Sequence, residues 1–219
     1  MKLEQIPPDI NVFKTLKEKI DPKHTAVFVV DMQKEFLDPK GKFARLQIPE
    51  ELVNGIVAKI VKFLDYAHKA GVQVIYTKEI DDPKFMSEAM WERLYRMGTE
   101  LYCLSGTPEI EIIDELAPQP GDEVVVKHRF SCFYETELDM LLKSKKIKTM
   151  IMTGTQTNVC VDSTARDGYF HGYHIVMVGD CLFTYDPIAH QKALETIDEA
   201  FGVVSSMDEI ISIWKDGKS

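Results

Sequence analysis

The stretch Ile147–Gly168, IKTMIMTGTQTNVCVDSTARDG, indicates how the rest of the chain is organised. Its apolar run Thr149–Met152 has the length and composition of a buried parallel strand. A short polar turn follows, and the pattern predicts a helix from Val159, with Thr157 or Asn158 as its N-cap. Open α/β proteins place their chemistry at strand–turn–helix junctions of this kind, at the carboxyl edge of the sheet.

Cys160 lies in the first turn of this predicted helix. A thiol in that position is close to free N–H groups and to the positive end of the helix dipole, which favour the nucleophilic thiolate. A free cysteine is more often a small, inert core residue. Taken alone, Cys160 leaves both interpretations open.

Composition and charge exclude several classes of protein. Of 219 residues, 45% are hydrophobic and 28% are charged, which suits a single folded domain with a sizeable core. The net charge of −9 argues against binding to nucleic acid or to an anionic membrane. No run approaches the ~18 apolar residues of a membrane span, and no signal-peptide pattern begins the chain. The four cysteines show no CxxC or zinc-like spacing, so we expect a cytoplasmic protein with free thiols.

The order of predicted elements favours an α/β fold. Six apolar segments read as strands: Thr25–Val30, Val72–Thr77, Glu123–Val126, Thr149–Met152, His174–Val178 and Gly202–Ser205. Helical periodicity separates them, most clearly over residues 50–69. We expect a doubly wound, mostly parallel six-stranded sheet with helices on both faces, in one domain of residues 1–219 with residues 1–24 as an N-terminal arm. The aromatic-rich segment 78–107 is interpreted as a lid or a subunit contact, or as a satellite cluster.

Two further charged residues follow strands at the same predicted edge. Asp31 comes directly after the first strand, and Lys127 comes directly after the third. Either residue alone could be a capping or loop residue. Together with Cys160 they form a chemical set, because a carboxylate can accept the thiol proton and an ammonium favours the thiolate.

Four pieces of sequence, VVDMQKEF, VVVKHRFSCFYETELDMLL, GTQTNVCVDSTARDGYF and HIVMVGDC, resemble the isochorismatase-like cysteine hydrolase family. The resemblance runs from about Thr25 to Ser205. Members include nicotinamidases, N-carbamoylsarcosine amidase, ureidoacrylate and biuret-type amidohydrolases, and isochorismatase. The resemblance implies a three-layer α/β/α fold, a catalytic triad of Asp31, Lys127 and Cys160, and a homo-oligomer, either dimer or tetramer.

The resemblance also implies how the site would act. It places a cis peptide at Thr155–Gln156 and an oxyanion hole at the backbone N–H groups of Gln156 and Cys160. Asp31 would take the thiol proton, and the thiolate would attack the carbonyl of a small-molecule amide or ureido substrate. Asp31 would then protonate the leaving ammonia or amine, and water would hydrolyse the resulting thioester. Lys127 would hold the charged groups of Asp31 and Cys160 in position. Some members hydrolyse a vinyl ether, and that reaction is the alternative to C–N hydrolysis. A less favoured alternative is a non-catalytic binding protein on this fold.

Two departures from the family pattern bear on metal and substrate. Nicotinamidases have an Asp-x-His pair and a further His after the second strand, whereas this chain has no His between His68 and His128. We therefore expect no metal and no cofactor, and nicotinamide is an unfavourable substrate. Gln156 stands where many relatives have Ala, and its amide could bind a ureido group or only pack under the turn. Three aromatic residues are candidate pocket walls, with core packing as the alternative: Phe36, Trp91 and Phe130.

Overall fold

Six parallel strands form a single sheet in the computed structural model, which describes residues 12–39, 41 and 49–217. In chain order they are β1 (Thr25–Val30), β2 (Gln73–Glu79), β3 (Glu123–Lys127), β4 (Thr149–Thr155), β5 (His174–Phe183) and β6 (Gly202–Ser205). Their order across the sheet is β3-β2-β1-β4-β5-β6, and every neighbouring pair is parallel. The direction of winding changes between β1 and β4, where such folds bind ligands. The predicted doubly wound fold is confirmed.

Helices cover both faces of this sheet. The α-helices are α1 (Leu16–Lys19), α2 (Lys34–Leu37), α3 (Glu50–Ala70), α4 (Glu88–Met97), α5 (Leu138–Ser144), α6 (Asp162–Phe170), α7 (Pro187–Ala200) and α8 (Met207–Asp216). A π-helical turn, Thr157–Val161, precedes α6, and 3₁₀ turns lie at Pro22–His24, Pro83–Phe85, Pro108–Ile110 and Asp114–Leu116. Among the described residues, no helix is both long and apolar enough to cross a bilayer.

The core is divided into two layers by β1, in which every residue is buried. Val27 and Val29 pack with α3 and α8 on one face, whereas Phe28 packs with α5, α6 and α7 on the other. Burial on both faces explains why this strand is a continuous apolar run. Each large apolar side chain buried here contributes roughly 1.5–3 kcal/mol.

The N-terminal arm packs on the domain where it is described. Residues 1–11 of the predicted arm lie outside the described residues, and α1 follows them. Ile20 is fully buried, and its carbonyl accepts a hydrogen bond of 2.9 Å from Trp214 Nε1 on α8. This part of the arm therefore joins the core on the α8 side.

The turn between β4 and α6 differs from the prediction. The helix begins as a π-helical turn with no side-chain N-cap. The Thr157 hydroxyl lies 2.9 Å from His190 Nδ1, and Asn158 Oδ1 accepts a 2.7 Å hydrogen bond from Thr184. The predicted cap at Thr157 or Asn158 is wrong, because both side chains bind neighbouring elements instead.

The segment between β2 and β3 carries α4. Leu94 is the buried residue of this helix, whereas Trp91, Tyr95 and Met97 are exposed. β2 itself extends to Glu79, two residues beyond its predicted end at Thr77. That extension brings a buried glutamate to the carboxyl edge of the sheet.

Candidate active site

Asp31, Lys127 and Cys160 converge at the carboxyl edge of the sheet, beside the change of winding between β1 and β4. Lys127 Nζ lies 2.8 Å from Asp31 Oδ2. Asp31 and Lys127 are fully buried, and Cys160 is 4% exposed. The structure therefore brings together three residues that are remote from one another along the chain.

A fourth charged residue, Glu79, lies among these three and was not among the predicted site residues. Its Oε2 accepts a 3.2 Å hydrogen bond from the Cys160 thiol and another of 3.2 Å from Lys127 Nζ. Glu79 is the last residue of β2 and lies directly opposite Lys127 in the β2–β3 register. The rule that selected Asp31 and Lys127, a charge at a strand's carboxyl end, would have found Glu79 had the strand been extended by two residues.

Asp31 is fixed in an uncommon backbone conformation just beyond β1. Its φ of 50° lies in the left-handed region, which residues with a Cβ rarely adopt. The Thr77 hydroxyl donates to Asp31 Oδ1 at 2.7 Å and accepts from the Asp31 N–H at 3.2 Å. Strained residues of this kind persist where neighbours fix them, often at functional sites. These two bonds hold the carboxylate against Lys127.

The turn before Cys160 begins where β4 lies close against β1. Gly154 has a φ of 104°, and a Cβ there would lie 2.2 Å from the Val30 carbonyl oxygen, so only glycine is accommodated. The next peptide bond, Thr155–Gln156, is cis. The Thr164 hydroxyl donates a 2.7 Å hydrogen bond to the Cys160 carbonyl. The backbone on both sides of the thiol is thus constrained.

Burial and the neighbouring charges disfavour ionisation of the Cys160 thiol. Burial raises the pKa of Cys160, and Glu79 raises it further, with Lys127 opposing only in part. Burial also raises the pKa of Asp31, against the lowering effect of Lys127. Burial opposes the charge of Lys127, but its anionic neighbours outweigh that effect and the pKa of Lys127 is raised. Burial and the two carboxyl groups therefore oppose the effect by which the helix terminus favours the thiolate.

A cavity of about 350 Å³ opens onto Cys160. Of the four predicted substrate contacts, three line it: Phe36, Phe130 and Gln156. Trp91 does not, and its side chain is 44% exposed. The reason is helical phase: α4 directs Arg93 and Met97 into the cavity, and Trp91, two residues before Arg93, lies on another side of the helix. A larger hollow of about 490 Å³ near Trp214 contains none of these residues.

A smaller chamber of about 150 Å³ adjoins the cavity. The two share four lining residues: Glu79, Arg93, Tyr102 and Phe130. Asp81 also lines the chamber and is 4% exposed. Burial, reinforced by Glu79, raises the pKa of Asp81 to about 7, although Lys127, Arg93 and Arg129 act in the opposite direction. The chamber thus contains a carboxyl group that changes charge near neutrality.

Residues 25–209 match the model of the isochorismatase domain. The chain belongs to the isochorismatase family. Ureidoacrylate amidohydrolase RutB from Stutzerimonas stutzeri is 35% identical over 200 residues, which cover 84% of this chain and 80% of that protein. A cysteine hydrolase from Pseudomonas syringae pv. phaseolicola matches in structure with a TM-score of 0.77 at 31% identity, covering 90% of this chain and 95% of that chain. For N-carbamoylsarcosine amidase from Thermoplasma acidophilum the TM-score is 0.70 at 28% identity, covering 84% and 97%.

These comparisons confirm the family that the sequence resembles, and this member of the isochorismatase family is a hydrolase. Among the described residues, one group of possible ligands lies close enough together for a single ion, namely Asp31, Glu79 and Cys160, with ligand atoms within 4.8 Å. Both carboxylates of that group already contact the Lys127 ammonium. A divalent cation there would be repelled by Lys127, so these residues do not suit a metal.

Proposed function

We propose that this isochorismatase-family hydrolase is a metal-independent cysteine amidohydrolase that cleaves a C–N bond of a small amide or ureido compound. The observation that carries the proposal is a buried thiol, in contact with a carboxylate and near an ammonium, at the base of a cavity of about 350 Å³. A cavity of this size suits a small molecule. The relatives named ureidoacrylate amidohydrolase and N-carbamoylsarcosine amidase support a ureido substrate.

The reaction would proceed through a thioester on Cys160. Because the resting thiol is neutral, its proton leaves for a neighbouring carboxylate as Sγ attacks the carbonyl carbon. Asp31 is the carboxylate that the family pattern assigns to this step. The backbone N–H groups of Gln156 and Cys160 would stabilise the developing oxyanion, and Lys127 would keep its charge throughout. When the C–N bond breaks, Asp31 would return the proton to the nitrogen, which leaves as ammonia or an amine, and water then hydrolyses the thioester.

A substrate panel with matched variants tests this proposal. Purified enzyme is assayed for ammonia release from ureido acids and primary amides, and for product from a vinyl ether. Cys160→Ala should reduce turnover of any substrate found by at least about 10³-fold, since it removes the nucleophile. Trapping of an acyl adduct on Cys160 by mass spectrometry would support the thioester directly. Turnover that survives in Cys160→Ala would refute covalent catalysis, and cleavage of the vinyl ether alone would favour the alternative reaction.

Exposed apolar side chains support a homo-oligomer, dimer or tetramer, as a further part of the proposal. Trp91 and Tyr95, which lie one turn apart on α4, are 44% and 89% exposed. Clustered exposed apolar groups often lie in contacts between protein chains. Light scattering after size exclusion should give a mass above the 25.0 kDa of one chain. A monomer at micromolar concentration would contradict this part.

A reducing compartment such as the cytoplasm is also proposed. All four cysteines, Cys103, Cys132, Cys160 and Cys181, are free and buried. Proteins of oxidising compartments commonly form disulfides. Thiol titration of denatured enzyme, purified without reductant from its native source, should give four free thiols per chain.

A further inference from the structure

The guanidinium of Arg93 has no acceptor among the described residues, unlike those of the other described arginines. Arg96 and Arg166 each lie against a carboxylate, at 3.3 and 2.8 Å, and Arg129 donates to two backbone carbonyls. Arg93 instead lies over an aromatic face, with its guanidinium carbon 5.0 Å from the centre of the Phe130 ring. That contact attracts the cation but leaves its N–H donors available.

Arg93 lies at the boundary between the two spaces near the thiol. It is partly buried and lines both the cavity that opens onto Cys160 and the adjoining chamber. Burial raises the pKa of Tyr102, which also lines both spaces, and Arg93 and Cys160 are among the charged neighbours that alter it. One small molecule can therefore contact the guanidinium and the thiol together.

The acidic residues that line these spaces do not neutralise Arg93. Glu79 already binds Lys127 and the thiol, and Glu100 is exposed to solvent. Asp81 lines the chamber but is not within ion-pair distance of Arg93. The cavity therefore holds a positive charge with available donors beside largely apolar walls.

We propose that the amide or ureido compound cleaved at Cys160 carries a carboxylate that Arg93 binds, an inference that rests on the proposed amidohydrolase reaction. A guanidinium presents paired N–H donors that match the two oxygens of a carboxylate. The attraction is stronger in a partly enclosed cavity than in bulk water. The carboxylate would lie at the end of the substrate remote from the scissile bond, because Glu79 beside the thiol repels an anion there.

Pairs of probes that differ in one charge test this assignment. ω-Ureido acids with one to three methylene groups are compared with N-alkylureas of the same length, and ammonia release gives kcat/KM for each. Wild type should prefer the acid of at least one pair by about tenfold or more, as expected for a charge-assisted contact. Arg93→Ala should reduce that preference by about tenfold through the acid, with the alkylurea within about threefold of wild type. Arg93→Lys should keep part of the preference, since the charge remains but the paired donors do not.

Arg96→Ala is the matched control on the same helix. The Arg96 guanidinium is exposed and pairs with Glu92, so its loss should leave the preference for the acid unchanged. An equal reduction in Arg96→Ala and Arg93→Ala would mean that the net charge of α4, and not a contact of Arg93, sets the preference. That result would overturn the assignment.

The alternative role for Arg93 is to balance the charge of Asp81 across the chamber. Asp81→Asn removes that charge while keeping the shape of the side chain. In this background Arg93→Ala should still reduce the preference for the acid by about tenfold. If the reduction disappears, Arg93 acts on Asp81 and not on the substrate, and the inference is wrong.

Binding to Cys160→Ala separates this inference from the proposed function and requires no substitution at Arg93. The variant keeps the walls of the cavity but lacks the nucleophile, and calorimetry should show the preferred acid binding about tenfold more tightly than its alkylurea. Equal binding within every pair, while wild type hydrolyses the alkylureas, would refute the inference and leave the amidohydrolase proposal intact. If wild type hydrolyses no amide or ureido compound, the proposed function fails, and the inference about its substrate fails with it.

Discussion

Cys160 is the proposed nucleophile, and its surroundings favour the thiol. A helix terminus lowers a thiol pKa by a modest amount, because its dipole is worth about 0.3–1 kcal/mol. Burial next to Glu79 and Asp31 acts in the opposite direction and is the larger effect.

Thr77 provides a test of how Asp31 is positioned. Thr77→Val keeps the shape of the side chain but removes both hydrogen bonds to Asp31. Leaving the buried Asp31 N–H without a partner should destabilise the fold by about 1–3 kcal/mol. A misplaced carboxylate should also lower kcat by about tenfold, as small displacements at a catalytic group commonly do.

Thr153→Val is the matched control for Thr77→Val. Thr153 is equally buried, on β4, and its hydroxyl donates to the Phe28 carbonyl at 2.7 Å without contacting the site. Urea denaturation should show a loss of stability in both variants, and steady-state kinetics should show a lower kcat only in Thr77→Val. Equal kcat values in the two variants would mean that Thr77 acts on stability alone.

For the helices and strands, the apolar pattern and the helical phase determine which bounds and which side-chain orientations could be predicted from the sequence. β1 and β6 were predicted with the observed bounds, because strongly apolar runs end at clear turn residues. β2 was predicted to stop at Thr77, since Lys78 and Glu79 interrupt its apolar run; that interruption concealed Glu79. Charges buried in ion pairs break the hydrophobic pattern at the site itself, so the pattern is least informative there.

The sequence pattern also could not show which side of α4 faces the cavity, which is why the prediction for Trp91 was wrong. Aromatic composition selected Trp91 as a pocket wall, but the side of the helix that faces the cavity depends on where the helix begins, at Glu88. Arg93 lines both the cavity and the adjoining chamber, and its guanidinium lies 5.0 Å from the centre of the Phe130 ring. Only the packed structure shows which of these residues a substrate would meet.

Arg93→Ala and Trp91→Ala test this orientation of α4. Arg93→Ala removes a charged wall of the cavity and should raise KM by about three- to tenfold, a loss of roughly 1 kcal/mol of binding. Trp91→Ala should leave KM unchanged, because its side chain lies outside the cavity. Both values come from initial rates on the substrate found in the panel. A rise in KM for Trp91→Ala alone would mean that α4 presents its other face to the substrate.

For the whole molecule, the buried carboxyl of Asp81 links stability to pH. Its pKa is raised from 3.8 to about 7 in the folded state, so the folded protein binds this proton more tightly than the unfolded chain does. The resulting stabilisation is fully present below about pH 4 and is lost as the pH rises through 7. Above pH 7 the folded protein must hold an ionised, poorly solvated carboxylate.

Asp81→Asn should therefore stabilise the protein at high pH and not at low pH. At pH 8 we expect a gain of about 1–2 kcal/mol, less than a three-unit shift would give in full, because the chamber partly solvates this carboxyl. At pH 4 the gain should vanish, since wild-type Asp81 is then neutral in the folded state. The measurement is urea denaturation of both proteins across pH 4–8, with Asp65→Asn, an exposed carboxylate on α3, as the control. A gain of equal size at both ends of this range would show that Asp81 does not titrate in the folded state, and that the chamber beside the thiol keeps a constant charge.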